Sequence, residues 1–417
     1  MSKTLRALPE NFIYRLDLAK LVTPRLMKDQ PIHRWFYFPH SFSPQLVDLL
    51  FNEWQLPTGS VVIDPFVGAG TTLCAARQNG HNAIGTDVSP LSIFVSNTKV
   101  CFYNEDQIRE ALQNVIALVN QHEDVDIQRT ERLQRAFTDA EFTEITRLRQ
   151  AIFEQSEQTK HFLLLGLLRI QQQFSRAVPD GGWFRWRKQP CQAHKFLSDF
   201  IEFVEIMLSD LVTSRQQNFG YCEAIPYDAR QLNILRQVRP ELEAGCHAII
   251  TSPPYPNRHD YSRIFQIELL TLGLAEQDIF TLRYESLRSH VEARPPKDDL
   301  PLFQRPERLT QVLNLLPDDV DTRIEPMLVG YFEDMNAVLH AAYDTLAPEG
   351  YIALVVGNVR HAGVMIPVDE ILLSIGQTIG YVALTSWVAR LRGNSAQQMG
   401  RYGREPARES IVILRKR

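Results

Sequence analysis

At 417 residues the chain is longer than an ordinary domain and suits a catalytic core of about 250 residues carrying a large elaboration. Hydrophobic residues make up 44% and charged residues 22%, which excludes global disorder, and the longest strongly apolar stretch, Phe162 to Ile170, falls far short of the roughly 20 residues that cross a bilayer. A formal net charge of -5 means that nucleic-acid binding must come from a local basic face and not from the whole-protein field.

Met1 to Lys20 lacks the layout of a secretory signal, so a cytoplasmic protein is expected. From Ser60 to Phe66 a β-branched run ends in a Gly-rich turn, and Thr71 to Gln78 then has helical character. Asn82 to Val88 repeats the pattern as a second strand, with Ser89 as the cap of a helix over Pro90 to Val100. The first hundred residues therefore predict a parallel βαβ unit. Residues 101–215 change to segments of helical period, interrupted by the Pro-Asp-Gly-Gly turn at Pro179 to Gly182, and predict a mainly helical insertion. Residues 216–417 return to buried strands at Tyr221 to Ala229, Cys246 to Thr251 and Tyr351 to Gly357, the last preceded by a helix over Pro326 to Leu346. Two closing strands, Tyr381 to Leu391 and Ser410 to Lys416, flank a Gly-rich basic loop. Arg288 to Glu307, rich in Pro, Arg and Asp, predicts a mobile loop or lid. Cys74, Cys101, Cys191, Cys222 and Cys246 are scattered, with neither a Cys-x-x-Cys pair nor a His at ligand spacing, so neither a disulfide framework nor a metal site is suggested.

Two motifs carry chemistry. The first, Asp64-Pro65-Phe66-Val67-Gly68-Ala69-Gly70-Thr71-Thr72, joins a strand to a helix. Its glycines allow close backbone approach to a ligand, and the helix N-terminus offers free amides to an anionic group such as a carboxylate. Asp87 ends the next strand, where a carboxylate can accept hydrogen bonds from ribose hydroxyls. Together these point to a nucleoside cofactor; the glycine loop alone is equally compatible with a tight packing turn. The second motif, Thr251-Ser252-Pro253-Pro254-Tyr255, follows the apolar strand Ala248-Ile249-Ile250. Its two prolines stop the strand ladder and leave polar groups displayed in the crevice where open α/β sheets bind ligands. An exocyclic base amine is a poor nucleophile because its lone pair is delocalised into the ring. Acceptors such as the Ser252 hydroxyl and the Pro253 carbonyl can engage its protons, and Tyr255 offers a ring for a flipped base. The bland alternative is a strand ending in a proline turn with a core tyrosine.

These motifs resemble the amino-methyltransferases of DNA found in bacterial restriction and modification systems. In that family Asp-Pro-Phe-x-Gly-x-Gly-Thr is the S-adenosylmethionine loop, and Ser-Pro-Pro-Tyr is the catalytic tetrapeptide associated chiefly with cytosine-N4 methylation. Adenine enzymes more often carry Asp-Pro-Pro-Tyr or Asn-Pro-Pro-Phe. The resemblance implies a Rossmann-like α/β sheet of order 3-2-1-4-5-7-6 with its last strand antiparallel. It implies cofactor contacts from Asp64, Pro65, Phe66, Gly68, Gly70, Thr71, Thr72, Asp87 and Ser89, with Asp228 reaching the adenine ring. Arg34 to Leu50 is similar to the family's segment that packs on the cofactor's methionine part. Pro256 to Arg263 resembles the extension of one cytosine-specific subgroup. The cofactor loop precedes the tetrapeptide, opposite to the permuted order of several cytosine-N4 enzymes.

Double-stranded DNA is the implied substrate, with a cognate restriction endonuclease as a possible partner. Basic and aromatic residues alternate through Arg176, Trp183, Arg185, Trp186, Arg187 and Lys188, which with Arg258 and a second basic loop containing Arg390, Arg392, Arg401 and Arg404 are the expected DNA contacts. Each cluster is equally readable as a solvated face. The insertion is a target-recognition region or a structural buttress. Adenine-N6 methylation and methylation of RNA remain alternatives. Pro190-Cys191 lacks the buried strand that a ring-carbon methyltransferase needs and is read as chance. A non-enzymatic DNA-binding or assembly module would require one motif to be degraded, and neither is.

Overall fold

The computed structural model describes residues 8–36, 38–119, 121, 130–180, 183–213, 220–393 and 400–417. Residues 1–7 of the N-terminal stretch, both glycines of the 179–182 turn and residues 394–399 of the basic loop lie outside the described residues. In chain order the strands are β1 (Phe12–Tyr14), β2 (Val61–Asp64), β3 (Asn82–Asp87), β4 (Ala177–Asp180), β5 (Trp183–Trp186), β6 (Cys222–Pro226), β7 (Cys246–Thr251), β8 (Leu346–Gly357), β9 (Val359–His361), β10 (Val364–Ile366), β11 (Val382–Arg392) and β12 (Ala407–Arg415).

Eight strands form one sheet in the order β1-β11-β12-β8-β7-β2-β3-β6. From β6 across to β8 the pairing is parallel, while β12 runs antiparallel between β8 and β11. The expected order 3-2-1-4-5-7-6 is therefore present from β6 to β11. The short β1 extends it, lying parallel to β11 at the edge.

Apolar runs rather than alternating patterns mark these strands because both faces of the sheet are buried. Val62, Ala248, Ile250 and Val355 enter one hydrophobic cluster. Their neighbours Ile63, Ile249 and Leu354 enter the other. The second cluster is closed by the helices Leu232–Val238, Ile324–Thr345 and Val368–Ile379. The first is closed by Pro44–Glu53, Thr71–Gln78 and Pro90–Val100, and then by the insertion. Phe162, Leu163, Phe200 and Val204 of the insertion share a continuous apolar cluster with Val62 and Leu73.

The insertion contains the helices Glu105–Val119, Glu131–Ala136, Asp139–Phe153, Glu157–Phe174 and Ala193–Thr213. A capping box starts the third: Glu141 N donates to Thr138 Oγ1 (3.3 Å), and Thr138 N donates to Glu141 Oε2 (2.9 Å). The reading of this region as helical missed the β4–β5 pair, which aligns Ala177 with Trp186. The helix expected from Pro326 begins at Ile324, since a proline in the first turn removes an amide that has no intrahelical partner there. Residues 288–306 are irregular, as expected, but the segment is fastened at its start. Leu287, Arg288, Ser289 and His290 are buried, and the Arg288 guanidinium pairs with Asp334 (2.6 Å) and Glu333 (2.8 Å). The expected mobile loop or lid is thus anchored at its start on the helix Ile324–Thr345. Among the described residues no helix is long and apolar enough to cross a membrane.

Candidate active site

The carboxyl ends of β2, β3, β6 and β7 open into a cavity of about 1250 Å³, its open mouth included. This is the crevice in which an open α/β sheet binds ligands. Its wall brings together Asp64, Pro65, Phe66, Gly68, Thr71, Asp87, Ser89, Asp228, Ser252 and Pro254, so both motifs meet in one space.

The glycine loop is shaped by a backbone that only glycine adopts without strain. Gly70 has φ +77°, and a Cβ there would lie 3.0 Å from Ser96 Oγ. Asp64, 2% exposed, accepts from Phe66 N (3.1 Å), Thr72 Oγ1 (2.7 Å) and Thr251 Oγ1 (2.6 Å). These bonds run inside the protein, so Asp64 and Thr72 tie the glycine loop to the strand that carries the second motif. Burial pushes the Asp64 carboxyl up to about 6. Thr71 Oγ1 lies 3.0 Å from Ser41 Oγ, which joins the loop to the segment ahead of the helix Pro44–Glu53. Phe38, His40, Ser41 and Phe42 of that segment line the cavity.

Asp87 is held by local amides. Ser89 N donates to its Oδ1 (2.9 Å) and Gly68 N to its Oδ2 (3.1 Å), leaving lone pairs for further donors. Burial raises its pKa. Asp228 accepts from Arg230 N (2.9 Å) and pairs with the Arg230 guanidinium (2.6 Å), which also reaches Asp334 (3.4 Å). A positive-φ glycine, a helix N-terminus and a carboxylate at the next strand end thus fit a nucleoside carrying an amino-acid tail.

At the other end of the cavity Ser252 Oγ donates to Val355 O on β8 (3.0 Å). Tyr255 sits differently from its expected place. Its ring is 5% exposed and belongs to the hydrophobic cluster behind the cavity wall, where a Cβ on Gly357 would come within 2.8 Å of it. Burial raises its phenol well above the ordinary range. The Arg392 guanidinium carbon lies 5.7 Å from that ring's centroid and its Nη2 donates to Asn358 O (3.1 Å), so Arg392 stands beside the second motif.

The other expected DNA contacts are dispersed. Arg185, Arg187 and Lys188 are exposed at the end of β5, which packs against the helix Tyr261–Ile264 just after the second motif. Arg187 Nη2 donates to Gln173 O (3.2 Å). Arg258 has φ +71° and pairs with Asp321 (3.4 Å). Arg176 pairs with buried Glu141 (3.3 Å) and Arg390 with Glu409 (3.2 Å). Arg401 faces Asp319 at 3.9 Å, and Arg404 is exposed.

Several residues that line the cavity or hold the segments beside it escaped the sequence reading. Lys99 is fully buried, donates to Ala69 O (2.9 Å), His33 O (3.4 Å) and Phe36 O, and is pushed by burial down to about 8. Asp210, buried in the insertion helix Ala193–Thr213, accepts from Ile32 N (3.1 Å), Arg34 Nε (2.9 Å) and Trp35 Nε1 (2.9 Å). The only sequence signal for either is a charged residue on an otherwise apolar helix face. His40 and His259 also line the cavity, from segments far apart in sequence.

Known proteins resemble this chain at the level of sequence. The family described as DNA methylase matches residues 20–94. The type II methyltransferase M.BsoBI of Geobacillus stearothermophilus is 30% identical over 461 residues, covering 95% of this chain and 88% of its own length. The type II methyltransferase M.AvaI of Nostoc sp. is 30% identical over 456 residues, covering 100% of this chain and 94% of its own. Among solved structures, the rRNA methyltransferase aviRa of Streptomyces viridochromogenes aligns at 13% identity and a TM-score of 0.33 over 96% of this chain and 93% of that one, too weak a likeness to add to the topology above.

Proposed function

The chain belongs to the DNA amino-methyltransferase family, and on that premise we propose that it transfers the methyl group of S-adenosylmethionine to N4 of cytosine within a specific sequence of double-stranded DNA. The cofactor supplies a methyl group already activated on a sulfonium. The glycine loop and the amides of Thr71 and Thr72 hold its amino-acid part, Asp87 its ribose and Asp228 its adenine.

The work left to the chain is to align the amine, localise its lone pair and exclude water. Ser252 carries the proposal. With its proton directed at Val355 O, the hydroxyl of this cavity-lining residue keeps its oxygen lone pairs to act as an acceptor, the polarity that an amine N–H requires. Pro253 O is the second acceptor of this reading, held in place by the two prolines. Tyr255 supports the flipped base from behind the wall, with Arg392 beneath it. A serine in this position, and not an aspartate or asparagine, favours cytosine.

The insertion contributes to DNA contact through the β4–β5 hairpin, because β5 packs on the helix that follows the catalytic segment. A restriction endonuclease of the same specificity is the proposed cellular counterpart. Mass spectrometry of nucleosides from DNA methylated by the protein tests the assignment: N4-methylcytosine is expected, 6-methyladenine overturns the base, and 5-methylcytosine overturns the chemistry.

A further inference from the structure

Amine methylation leaves one proton to remove. As the nitrogen lone pair forms the new N–C bond, the S–C bond breaks with its electrons retained by sulfur, and the nitrogen then carries a positive charge with both original hydrogens. Loss of one proton restores the neutral amine, and in a closed site a neighbouring group must take it. Most titratable groups on the cavity wall are committed. Asp64 is bonded inside the protein, Asp228 is paired with Arg230, and Asp260 is paired with Arg283 (2.6 Å). His290 Nε2 is engaged by Ser286 Oγ (3.0 Å) while its Nδ1 stands 3.4 Å from the Glu292 carboxylate without a hydrogen bond, and Asp87 lies at the ribose end.

His40 and His259 differ. His40 Nε2 lies 3.2 Å from His259 Nδ1, and both rings line the cavity with Ser252 and Pro254. Ser41, next to His40, touches Thr71 of the cofactor loop, so the pair stands where the cofactor half and the catalytic half meet. The hydrogen-bond pattern sets its protonation. His259 N donates to Asn257 Oδ1 (3.1 Å), which fixes that amide with its Nδ2 towards His259 Nδ1 (3.3 Å). His259 Nδ1 is then an acceptor, and His40 Nε2 must be the donor between the rings. A neutral His40 with its proton on Nε2 keeps its lone pair on Nδ1, to which no group is bonded among the described residues.

We propose that His40 Nδ1 accepts the proton released by the methylated amine, with His259 as the positioning residue that holds the required tautomer. The inference rests on amine methylation as read above. The imidazolium formed still donates through Nε2 to His259, and its proton passes from there to solvent. Burial, then His259 and Arg392, hold His40 down at about 4. The groups facing the pair are His259 and Arg392 with the edge-on ring of Tyr261 on the His40 side, and Asn257 and Arg392 on the His259 side. His40 is therefore unprotonated at neutral pH, as an acceptor must be.

Single-turnover methyl transfer by the full-length protein, with S-adenosylmethionine and DNA affinities measured in parallel, tests this. His40→Ala should slow the methyl-transfer step about 100-fold while both affinities stay within twofold, and added imidazole should restore part of the rate. His259→Gln should slow the same step less and move its acid limb. An unchanged rate in His40→Ala overturns the proposal, as does a loss that imidazole does not rescue. If His40→Ala does not fold, His259→Gln decides it: an unchanged rate and pH profile overturns the proposal. The unsubstituted protein in the same assay reports separately on amine methylation, since failure to methylate DNA there removes the premise and not the pair.

Discussion

The two ends of the cavity are held by different kinds of contact. At the cofactor end most of the bonds on the two carboxylates come from one βαβ unit: Phe66 N and Thr72 Oγ1 to Asp64, Ser89 N and Gly68 N to Asp87, with Thr251 Oγ1 to Asp64 and Ser41 Oγ to Thr71 as links to more distant segments. At the catalytic end and along the insertion they span the chain: Ser252 to Val355, His259 to His40, Gln172 Nε2 to Glu268 (2.8 Å), and Asp210 to the segment ahead of the cavity. The first arrangement positions a constant ligand. The second makes the geometry of the reacting base depend on packing between the insertion and the sheet, and these contacts are where the difference can be broken.

The largest effect is expected at Asp210. Asp210→Ala leaves Arg34 and the buried Trp35 indole without their acceptor, and denaturant unfolding should show a loss of about 3–5 kcal/mol. A loss under about 1 kcal/mol would make the insertion an independent appendage. Glu268 gives the next contrast. Burial raises its carboxyl from 4.5 to about 7, so the folded state retains a proton that the unfolded state has released, and stability falls as pH rises through that window. The change is on the order of 3 kcal/mol, and Glu268→Gln should flatten it in unfolding curves between those pH values.

At the cofactor end, Asp87→Ala should weaken S-adenosylmethionine binding by about 1.4–2.7 kcal/mol, roughly 10- to 100-fold, with the fold intact. Unchanged affinity in calorimetry would remove Asp87 from the ribose site. The smallest effect belongs to the hairpin. Arg185→Glu combined with Lys188→Glu should lower DNA affinity about tenfold and reduce the salt slope, with cofactor affinity unchanged. Arg187 is left in place because its guanidinium serves the carbonyl end of the helix Glu157–Phe174.

This difference also explains what the sequence made legible. The glycine loop, Asp87 and the sheet order follow from short motifs whose parts are neighbours in the chain. His40 and His259 are separated by 219 positions, and no spacing rule joins them. The β4–β5 hairpin was hidden by its four-residue strands within a helical stretch, too short for a period to register. Tyr255 was recognised by motif, but its depth depends on Gly357 and Arg392, which reach it only through the fold.

Cofactor binding and amine activation fall to separate residues, and Ser252→Ala tests that division most directly. Single-turnover methyl transfer to DNA should fall about 100-fold, because an amine acceptor is lost where charge develops, while the Kd for S-adenosylmethionine stays within twofold. An undiminished rate, or a fall matched by an equal loss of cofactor affinity, would contradict it.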